Sequence, residues 1–458
     1  MSLFNITFAG GAGTVTGANF LLKTADFSAL IDCGLLQGTS DADRINAASF
    51  SYDPRSVQFL FVTHAHMDHI GKIPKLVKDG FSGKIYSTTI TKEIATVMLD
   101  DAQQLLDDLA RKQGTLPLYD KKDVEKALTL WEGFAYHDNI SLPGNVSVFL
   151  KDSGHILGST MFEFSIGAEK VVFTGDLGNS PTPLLKDTEP VTDATYMVME
   201  SVYGDRNHEP KDERDHRFAE IVREAMARGG TLVIPAFSLE RTQVIVYELN
   251  KLVESGKVPS VPVFLDSPLA IKVTEIYKRH RREFNSGVQS EIADGDDIFK
   301  FPRLKFTVDG FDSRGIEKTP GAKIIIAGGG MSQGGRVVNH EKHFLPDPKS
   351  TILLVGFQSL GTVGRLIQNA GKEVVINGEK VPVRAKIEMI AGYSSHKDSD
   401  GLVEFVEQSA STLKKVFVAM GEPKSSLFLA QRLKDYLGVE AVVPEAGEVF
   451  ETEVYRVK

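Results

Sequence analysis

Cysteine and tryptophan are scarce in this chain of 458 residues, which contains 1 of each. The single cysteine, Cys33, excludes an internal disulfide, a thiol redox pair and a zinc site built on cysteines. Any metal that this chain binds must therefore use histidine and carboxylate ligands.

Long apolar runs are also missing, since no stretch reaches the roughly 20 apolar residues that span a bilayer. The N-terminal sequence MSLFNITFAGG has neither the basic segment nor the apolar core of a signal peptide. These absences predict a protein that does not associate with membranes and lies in the cytoplasm.

Positive charge is not in excess, because the formal net charge is -9. This balance argues against nonspecific nucleic-acid binding by the whole surface, although a local basic groove can still attract phosphates. Hydrophobic residues make up 42% of the chain, and its length allows two or three domains with their own cores.

The most informative stretch is residues 63–69, which read THAHMDH. His64, His66, Asp68 and His69 all fall within it, just after the apolar run 59–62 that predicts a short buried strand. Imidazole and carboxylate groups are the ligands that zinc accepts, and a strand end can direct several of them at one point. The stretch therefore predicts a metal site. A polar loop whose histidines only form local hydrogen bonds is the alternative.

Other polar residues also follow predicted strands. Asp32 ends the third strand, Asp176 and Glu200 follow later apolar runs, and His155 lies in a polar loop between strands. The ends of neighbouring strands are where distant residues can converge into one site. A carboxylate at position 32 could orient a metal-bound histidine, and a plain turn aspartate is equally compatible with the residues alone.

The order of elements changes near residue 205. Before it, residues 2–35 predict antiparallel strands, and residues 70–78, 91–112 and 119–131 predict helices. The glycine cluster at 10–17 precedes a strand and not a helix, which excludes a dinucleotide-binding loop. From 205, alternating helices and short strands predict an α/β domain with a parallel sheet. From 373 the chain returns to strands, with a hairpin turn at Asn377 and Gly378.

The succession of Asp32, residues 63–69, His155 and Asp176 resembles the signature of metallo-β-lactamase-fold hydrolases. Glu200, the GYSSH sequence that ends at His396, and residues 356–365 (GFQSLGTVGR) resemble the β-CASP nuclease branch of that family. The resemblance covers nearly the whole chain. It implies an α/β fold in which an αββα metallo-β-lactamase sandwich, residues 1–204 and 373–458, carries an inserted α/β β-CASP domain at 205–372. The insert is expected to cap the metal site and leave a cleft.

The resemblance also implies a role for each candidate residue. A first zinc would be held by His64, His66 and His155, a second zinc by Asp68 and His69, and Asp176 would bridge the two. Two such cations activate a water for in-line attack on a phosphate. His396, oriented by Glu200, would protonate the leaving oxygen, and Asp32 would support a ligand from behind.

One position departs from the family pattern. RNA-processing members have a histidine in a His-Gly-Glu context that completes the second zinc, whereas the matching run here, 418–422, reads VAMGE. Met420 takes the place of that histidine, and no histidine occurs after His396. The second zinc is therefore expected to bind weakly, with manganese as a substitute. DNA-directed members often have an apolar residue here, so the choice between RNA and DNA stays open.

The leading hypothesis is a zinc-dependent nuclease that hydrolyses phosphodiester bonds of single-stranded RNA, in RNA processing or degradation. Three alternatives are a hydrolase of small esters or thioesters, a DNA-directed nuclease, and a nucleic-acid-binding protein with a weakened metal site. The size of the inserted domain disfavours a small substrate. The sequence is compatible with an oligomer and does not specify one.

Overall fold

The structure is a computed structural model that describes residues 3–39, 41–356, 358, 361–369 and 371–452. Its Cα atoms form two compact units. The first contains Met1–Thr182, Lys186–Asn207 and His396–Lys458, and the second contains Pro183–Leu185 and His208–Ser395. Three residues of the run at 356–365, namely Phe357, Ser359 and Leu360, lie outside the described residues.

The N-terminal part of the first unit is rich in short strands. Its elements are β1 (Asn5–Gly10), β2 (Asn19–Lys23), β3 (Ser28–Ile31), α1 (Ala42–Ala47), β4 (Phe59–Phe61), α2 (Met67–Ile70), α3 (Ile73–Lys78), β5 (Lys84–Thr88), α4 (Thr89–Gln113), α5 (Lys121–Thr129), β6 (Trp131–Phe134), β7 (Asn139–Leu142), β8 (Val146–Asp152), β9 (Thr160–Ile166), β10 (Glu169–Phe173) and β11 (Tyr196–Met199).

The second unit follows, with alternating helices and strands. Its elements are α6 (Lys211–Ala227), β12 (Thr231–Ala236), α7 (Arg241–Glu254), β13 (Val263–Asp266), α8 (Pro268–Arg279), α9 (Ser286–Ala293), β14 (Leu304–Phe306), α10 (Gly310–Ile316), β15 (Lys323–Gly328), α11 (Val337–Phe344), β16 (Thr351–Leu354), α12 (Val363–Gln368), β17 (Glu373–Ile376), β18 (Glu379–Pro382) and β19 (Lys386–Met389).

The chain then returns to the first unit. It adds α13 (Ser399–Glu407), β20 (Lys415–Val418), α14 (Pro423–Leu437), β21 (Ala441–Val442) and β22 (Val449–Glu451). No helix among the described residues has the length and apolar character that a bilayer crossing requires.

The first unit is built on two seven-stranded sheets. Their strand orders are β22-β1-β2-β3-β4-β5-β6 and β21-β20-β11-β10-β9-β8-β7. Alternate residues of each strand point to one face, so the inner faces share one apolar cluster that includes Phe8, Phe61 and Phe164. The Phe61 ring lies 5.2 Å from the Phe162 ring and 5.0 Å from the Phe164 ring, which joins β4 to β9 across the sandwich.

Helices cover the outer faces of this sandwich. Met197 and Met199 of β11 point away from the shared core and pack with Leu402 of α13 and Leu429 of α14. On the other sheet, helix α4 contacts β5 and β6, and α3 contacts α5. The order of layers is therefore helix, sheet, sheet, helix, as predicted.

The second unit contains a six-stranded sheet in the order β14-β13-β15-β12-β16-β19. All its pairings are parallel, which confirms the predicted parallel sheet. Strands β17 and β18 form the predicted hairpin, in which Asn377 and Gly378 adopt positive φ angles of 51° and 79°. Because β19 pairs with β16, residues 373–395 belong to this unit, whereas the sequence analysis placed the boundary at 372.

Two of the predicted helices differ in the structure. The one predicted at 70–78 is divided into α2 and α3, with Gly71 between them. The one predicted at 119–131 ends at Thr129, because Trp131 begins β6 and pairs with Ile85. Tertiary pairing with β5 thus replaces the local helical pattern at that point.

We expect Phe61→Ala to lower the free energy of unfolding of the first unit by about 3–5 kcal/mol, because the ring is fully buried between the two sheets. Urea denaturation followed by tyrosine and tryptophan fluorescence measures the change. Leu116→Ala is the control, since Leu116 is 93% exposed, and it should change stability by less than about 0.5 kcal/mol. Equal effects of the two substitutions would contradict the assignment of the core.

Candidate metal centre

The polar residues singled out in the sequence follow strand ends of the first unit. Asp32 comes directly after β3, and residues 63–69 begin two residues after β4, which is parallel to β3. Asp176 and Glu200 follow β10 and β11, which are also parallel to each other. Because the carboxyl ends of parallel strands meet at one edge, these side chains converge although they are distant in sequence.

Three histidines and one aspartate form a compact group. The His66 Nδ1 atom lies 3.1 Å from His64 Nε2 and 3.2 Å from His155 Nε2. The Oδ2 atom of Asp176 lies 3.4 Å from His64 Nε2 and 3.5 Å from His155 Nε2. One ligand atom from each of the four residues lies within 4.8 Å of the other three. Three nitrogens and an oxygen at this spacing are the donor set of a tetrahedral zinc site.

The protonation of this group suits metal binding. Burial, reinforced by the neighbouring His64, holds the pKa of His66 well below its ordinary value. Burial likewise holds the pKa of His155 well below its ordinary value, with His396 adding to the effect. Both rings are therefore neutral near pH 7, which is the form that coordinates a metal.

A second group lies on the other side of Asp176. The His69 Nε2 atom lies 3.4 Å from Asp176 Oδ1 and 3.9 Å from Asp68 Oδ2. His69 Nε2 and Asp176 Oδ1 are both buried and have no hydrogen-bond partner among the described residues. Buried polar atoms without partners are costly, and a cation that contacted both would satisfy them. The two oxygens of Asp176 thus face two different donor groups, and these residues fit a pair of cations.

Asp32 lies behind the second group. It is buried, adopts a left-handed φ of 60°, and accepts a hydrogen bond from the Thr63 backbone N–H at 2.8 Å. Its Oδ2 atom lies 2.8 Å from His69 Nδ1. Since a carboxylate only accepts, His69 Nδ1 carries a proton and its Nε2 atom is the one that faces Asp68 and Asp176.

Glu200 and His396 form a pair beside the first group. His396 Nδ1 lies 3.1 Å from Glu200 Oε1, and the His396 ring lies 4.6 Å from the His155 ring. Glu200 is fully buried and also accepts hydrogen bonds from the backbone N–H groups of Leu177 and Val202. Burial disfavours the charged imidazole, but the Glu200 carboxylate outweighs it and raises the pKa of His396 to about 9.

Met420 occupies a buried position next to the second group. Together with Asp32, His69 and Glu200 it lines a small cavity, and its side chain packs in the apolar core of the sandwich. Its backbone N–H donates to Gly11 O at 2.7 Å, and its φ is 45°. A thioether in the core adds no charge and no hard donor to the second group.

Backbone contacts that the sequence analysis did not single out bring the ligand segments together. A Cβ atom on Gly34 would lie 1.5 Å from the carbonyl oxygen of Asp68. A Cβ on Gly175 would lie 2.6 Å from Cβ of Thr63. Only glycine permits these approaches. In the sequence, the glycines close to Asp32 and Asp176 were the feature that could have indicated them.

Comparison with known proteins agrees with this architecture. The family model described as Metallo-beta-lactamase superfamily matches residues 12–209, and that of the Beta-Casp domain matches residues 242–367. A third model, described as Zn-dependent metallo-hydrolase RNA specificity domain, matches residues 380–444.

Several named proteins are similar over most of the chain. Ribonuclease TTHA0252 from Thermus thermophilus is 34% identical over 439 residues, which cover 96% of this chain and 98% of that protein. Transcription termination factor FttA from Methanosarcina mazei is 31% identical, with coverage of 95% of this chain and 69% of FttA. An RNase J-like protein from Methanocaldococcus jannaschii is 28% identical, with coverage of 97% and 99%.

A solved structure supports the fold alone. A protein of unknown function from Enterococcus faecalis V583 superposes with a TM-score of 0.54 at 15% identity, covering 98% of this chain and 99% of that chain. The fold implies binding of a divalent metal, and the matches to family models and relatives extend over both units. The chain belongs to the β-CASP branch of the metallo-β-lactamase superfamily of metallo-hydrolases.

Proposed function

We propose that this chain is a zinc-dependent ribonuclease that hydrolyses phosphodiester bonds of single-stranded RNA. The observation that carries the proposal is the placement of the His396–Glu200 pair beside the histidine and aspartate group, with the His396 and His155 rings 4.6 Å apart. A proton donor next to a metal site is the combination that hydrolysis of a phosphodiester requires. The match to an RNA specificity domain and the relative named as a ribonuclease support RNA as the substrate.

Zinc is the proposed cofactor because the donors of the first group are imidazole nitrogens and a carboxylate oxygen within 4.8 Å of one another. His64, His66 and His155 would hold a first ion, Asp68 and His69 a second, and Asp176 would bind both. When bound, such ions withdraw charge from the scissile phosphate and allow a water to attack at neutral pH.

The protein groups then have distinct tasks. Asp68 and Asp176 supply the negative charge that retains the cations, and Asp32 orients His69. His396 binds Glu200 through Nδ1, so the proton that it delivers to the leaving oxygen is the one on Nε2. Glu200 fixes the ring and stabilises the protonated form, much as a buried carboxylate supports histidine in other hydrolases.

The second ion is proposed to bind weakly. Met420 lies beside His69 and Asp32 and contributes no charge or imidazole there. Manganese, which accepts carboxylate and water ligands readily, is proposed as a substitute at this position.

The alternative functions are less well supported by the contacts. A nucleic-acid-binding protein without catalysis has no need of six potential metal ligands close to a histidine whose pKa is raised. A hydrolase of small esters would not need the RNA specificity domain. Assaying end-labelled single-stranded DNA beside RNA distinguishes a DNA-directed nuclease.

Chelation and substitution of the proposed ligands should abolish cleavage of end-labelled single-stranded RNA. We expect His396→Ala to lower kcat by about 100 to 10,000-fold while the zinc content stays unchanged, because a general acid contributes on that scale. Asp68→Ala should lower both the activity and the zinc content. His137→Ala is the control, since His137 is exposed, pairs with Glu189 and stacks on Phe149, away from the proposed ligands. Undiminished RNA cleavage by chelated enzyme or by Asp68→Ala, or cleavage of DNA alone, would contradict the proposal.

The pH dependence of kcat/KM should report the His396–Glu200 pair. The acid form of His396 is the active one, so activity falls as pH rises through its pKa of about 9. Glu200→Gln removes the charge that raises this pKa, and the alkaline limb should move toward the ordinary histidine value of about 6.5. Glu189→Gln, which alters the surface pair with His137, should leave the profile unchanged. An unshifted limb in Glu200→Gln would show that His396 is not the acid.

Metal titration should distinguish the two proposed ions. We expect one tightly bound zinc per chain and a second that binds only when metal is added. Met420→His should raise the affinity for the second zinc by about 10 to 100-fold or more. Even residues that only support the ligands of a metal site change its affinity on that scale. Met420→Leu, which preserves the apolar volume, is the control and should bind like the wild type. Two equally tight ions in the wild type would refute the assignment.

A further inference from the structure

Thr63 is a buried residue, only 1% exposed, that precedes His64 and has no role in the proposed chemistry. It follows Val62 at the end of β4, in the same segment as four of the proposed ligands. Both its backbone and its side chain contact other segments that contain proposed ligands.

The hydroxyl of Thr63 has one proton, which it donates to Asp32. Thr63 Oγ1 lies 2.8 Å from Asp32 Oδ2, and a carboxylate can only accept. The same Oγ1 lies 3.0 Å from His64 Nδ1. Since the hydroxyl proton is already used, His64 Nδ1 must be the donor in this contact. The remaining nitrogen, His64 Nε2, then presents a lone pair.

This assignment matters because His64 Nε2 is the atom that faces the other proposed ligands. It lies 3.1 Å from His66 Nδ1 and 3.4 Å from Asp176 Oδ2. In the opposite tautomer, Nε2 would carry a hydrogen and could not coordinate a cation. The Thr63 hydroxyl therefore selects the ring form of His64 that binds metal.

Asp32 connects this contact with the second group. Its Oδ2 atom lies 2.8 Å from His69 Nδ1 as well as from Thr63 Oγ1. One carboxylate thus sets the tautomer of His69 directly and that of His64 through the intervening hydroxyl. The ligands proposed for two different ions share a single supporting carboxylate.

The rest of Thr63 contacts the two remaining ligand segments. Its carbonyl accepts a hydrogen bond from the Thr160 N–H at 2.8 Å, at the start of β9 just after the His155 loop. Its Cβ and methyl group occupy the space where a Cβ on Gly175 would lie, at 2.6 and 3.0 Å. Gly175 immediately precedes Asp176, so the methyl group limits where that turn can lie.

We infer that Thr63 is a positioning residue, whose hydroxyl fixes the metal-binding tautomer of His64 and couples it to Asp32. The inference rests on the proposed assignment of His64 as a ligand of the first zinc. This role predicts that loss of the Thr63 hydroxyl alone lowers the affinity for the first zinc, although Thr63 is not proposed to contact the metal.

The test compares Thr63→Val with Thr63→Ser. Valine preserves the methyl packing and the backbone contacts but removes the hydroxyl, whereas serine keeps the hydroxyl. Competition with a chromophoric chelator should show a loss of affinity for the first zinc of about 10 to 100-fold in Thr63→Val, and a change of less than about 3-fold in Thr63→Ser. In 15N-histidine spectra of the zinc-loaded protein, the Nδ1–H signal of His64 should change in the valine variant and persist in the serine variant.

Thr274→Val is the matched control in the second unit. The Thr274 hydroxyl is fully buried, donates to Ala270 O at 2.7 Å and accepts from Gln243 Nε2 at 2.9 Å. This variant loses the same kinds of hydrogen bond and should bind zinc like the wild type. If Thr63→Val unfolds, Thr63→Ala and Thr63→Ser repeat the comparison, because they differ from each other only by the hydroxyl.

The outcomes separate the inference from the function on which it rests. If Thr63→Val binds the first zinc as tightly as the wild type while His64→Ala does not, the inference is overturned and the proposed metal site stands. If His64→Ala binds zinc like the wild type, the ligand assignment fails and the role of Thr63 fails with it. Equal weakening by Thr63→Val and Thr274→Val would also overturn the inference, because the effect would then reflect general stability.

Discussion

The geometry of the candidate metal centre depends on one buried carboxylate, that of Asp176. Its Oδ2 atom lies within 3.5 Å of His64 and His155, and its Oδ1 atom lies 3.4 Å from His69. Burial favours the neutral acid, yet the contacts of the carboxylate with His69 and His64 outweigh it and hold the pKa of Asp176 well below its usual range. A carboxylate that remains charged in the interior must be surrounded by groups that compensate it, so the neighbouring segments cannot move independently.

The sandwich provides the rigidity that this arrangement needs. Aromatic rings from both sheets meet in its core, where Phe61 of β4 packs against Phe162 and Phe164 of β9. These strands lead directly into, or out of, the loops that contain His64 and His155. Packing at this density resists displacement, and the close backbone approaches at Gly34 and Gly175 remove the remaining freedom of the loops. The positions of the proposed ligands are therefore a consequence of the core.

Met420 and His396 lie beside the two different donor groups and differ in what they contribute. His396 lies beside the first group and obtains its raised pKa from Glu200, a residue on the neighbouring strand end. Met420 lies beside the second group, where its thioether joins the apolar core and leaves Asp68, His69 and Asp176 as the charged or imidazole donors. The chain thus combines the proposed acid–base pair with a proposed second metal position that has fewer donors than the first.

Many features of the fold and of the candidate site can be predicted from the sequence, because the patterns that indicate them are local. The apolar run 59–62 followed by THAHMDH predicts a strand delivering several ligands, and the alternation of helices and strands after 205 predicts the parallel sheet that β12 to β16 and β19 form. The polarity of a strand end and the 3.6-residue period of a helix are properties of neighbouring residues, so they can be read without the fold.

Tertiary structure decided the rest, since it depends on contacts between distant segments. Residues 373–395 joined the second unit because β19 pairs with β16, a pairing that no local pattern encodes. The local pattern around His155 showed only a loop histidine, and the family resemblance was needed to predict its role; the structure places its Nε2 atom 3.2 Å from His66 Nδ1. The position of Thr63 between Asp32 and His64 became visible only in the structure. The sequence alone determined which ligand types were present and on which strands, and the packing of two sheets decided which atoms meet, because convergence of distant side chains requires a common core.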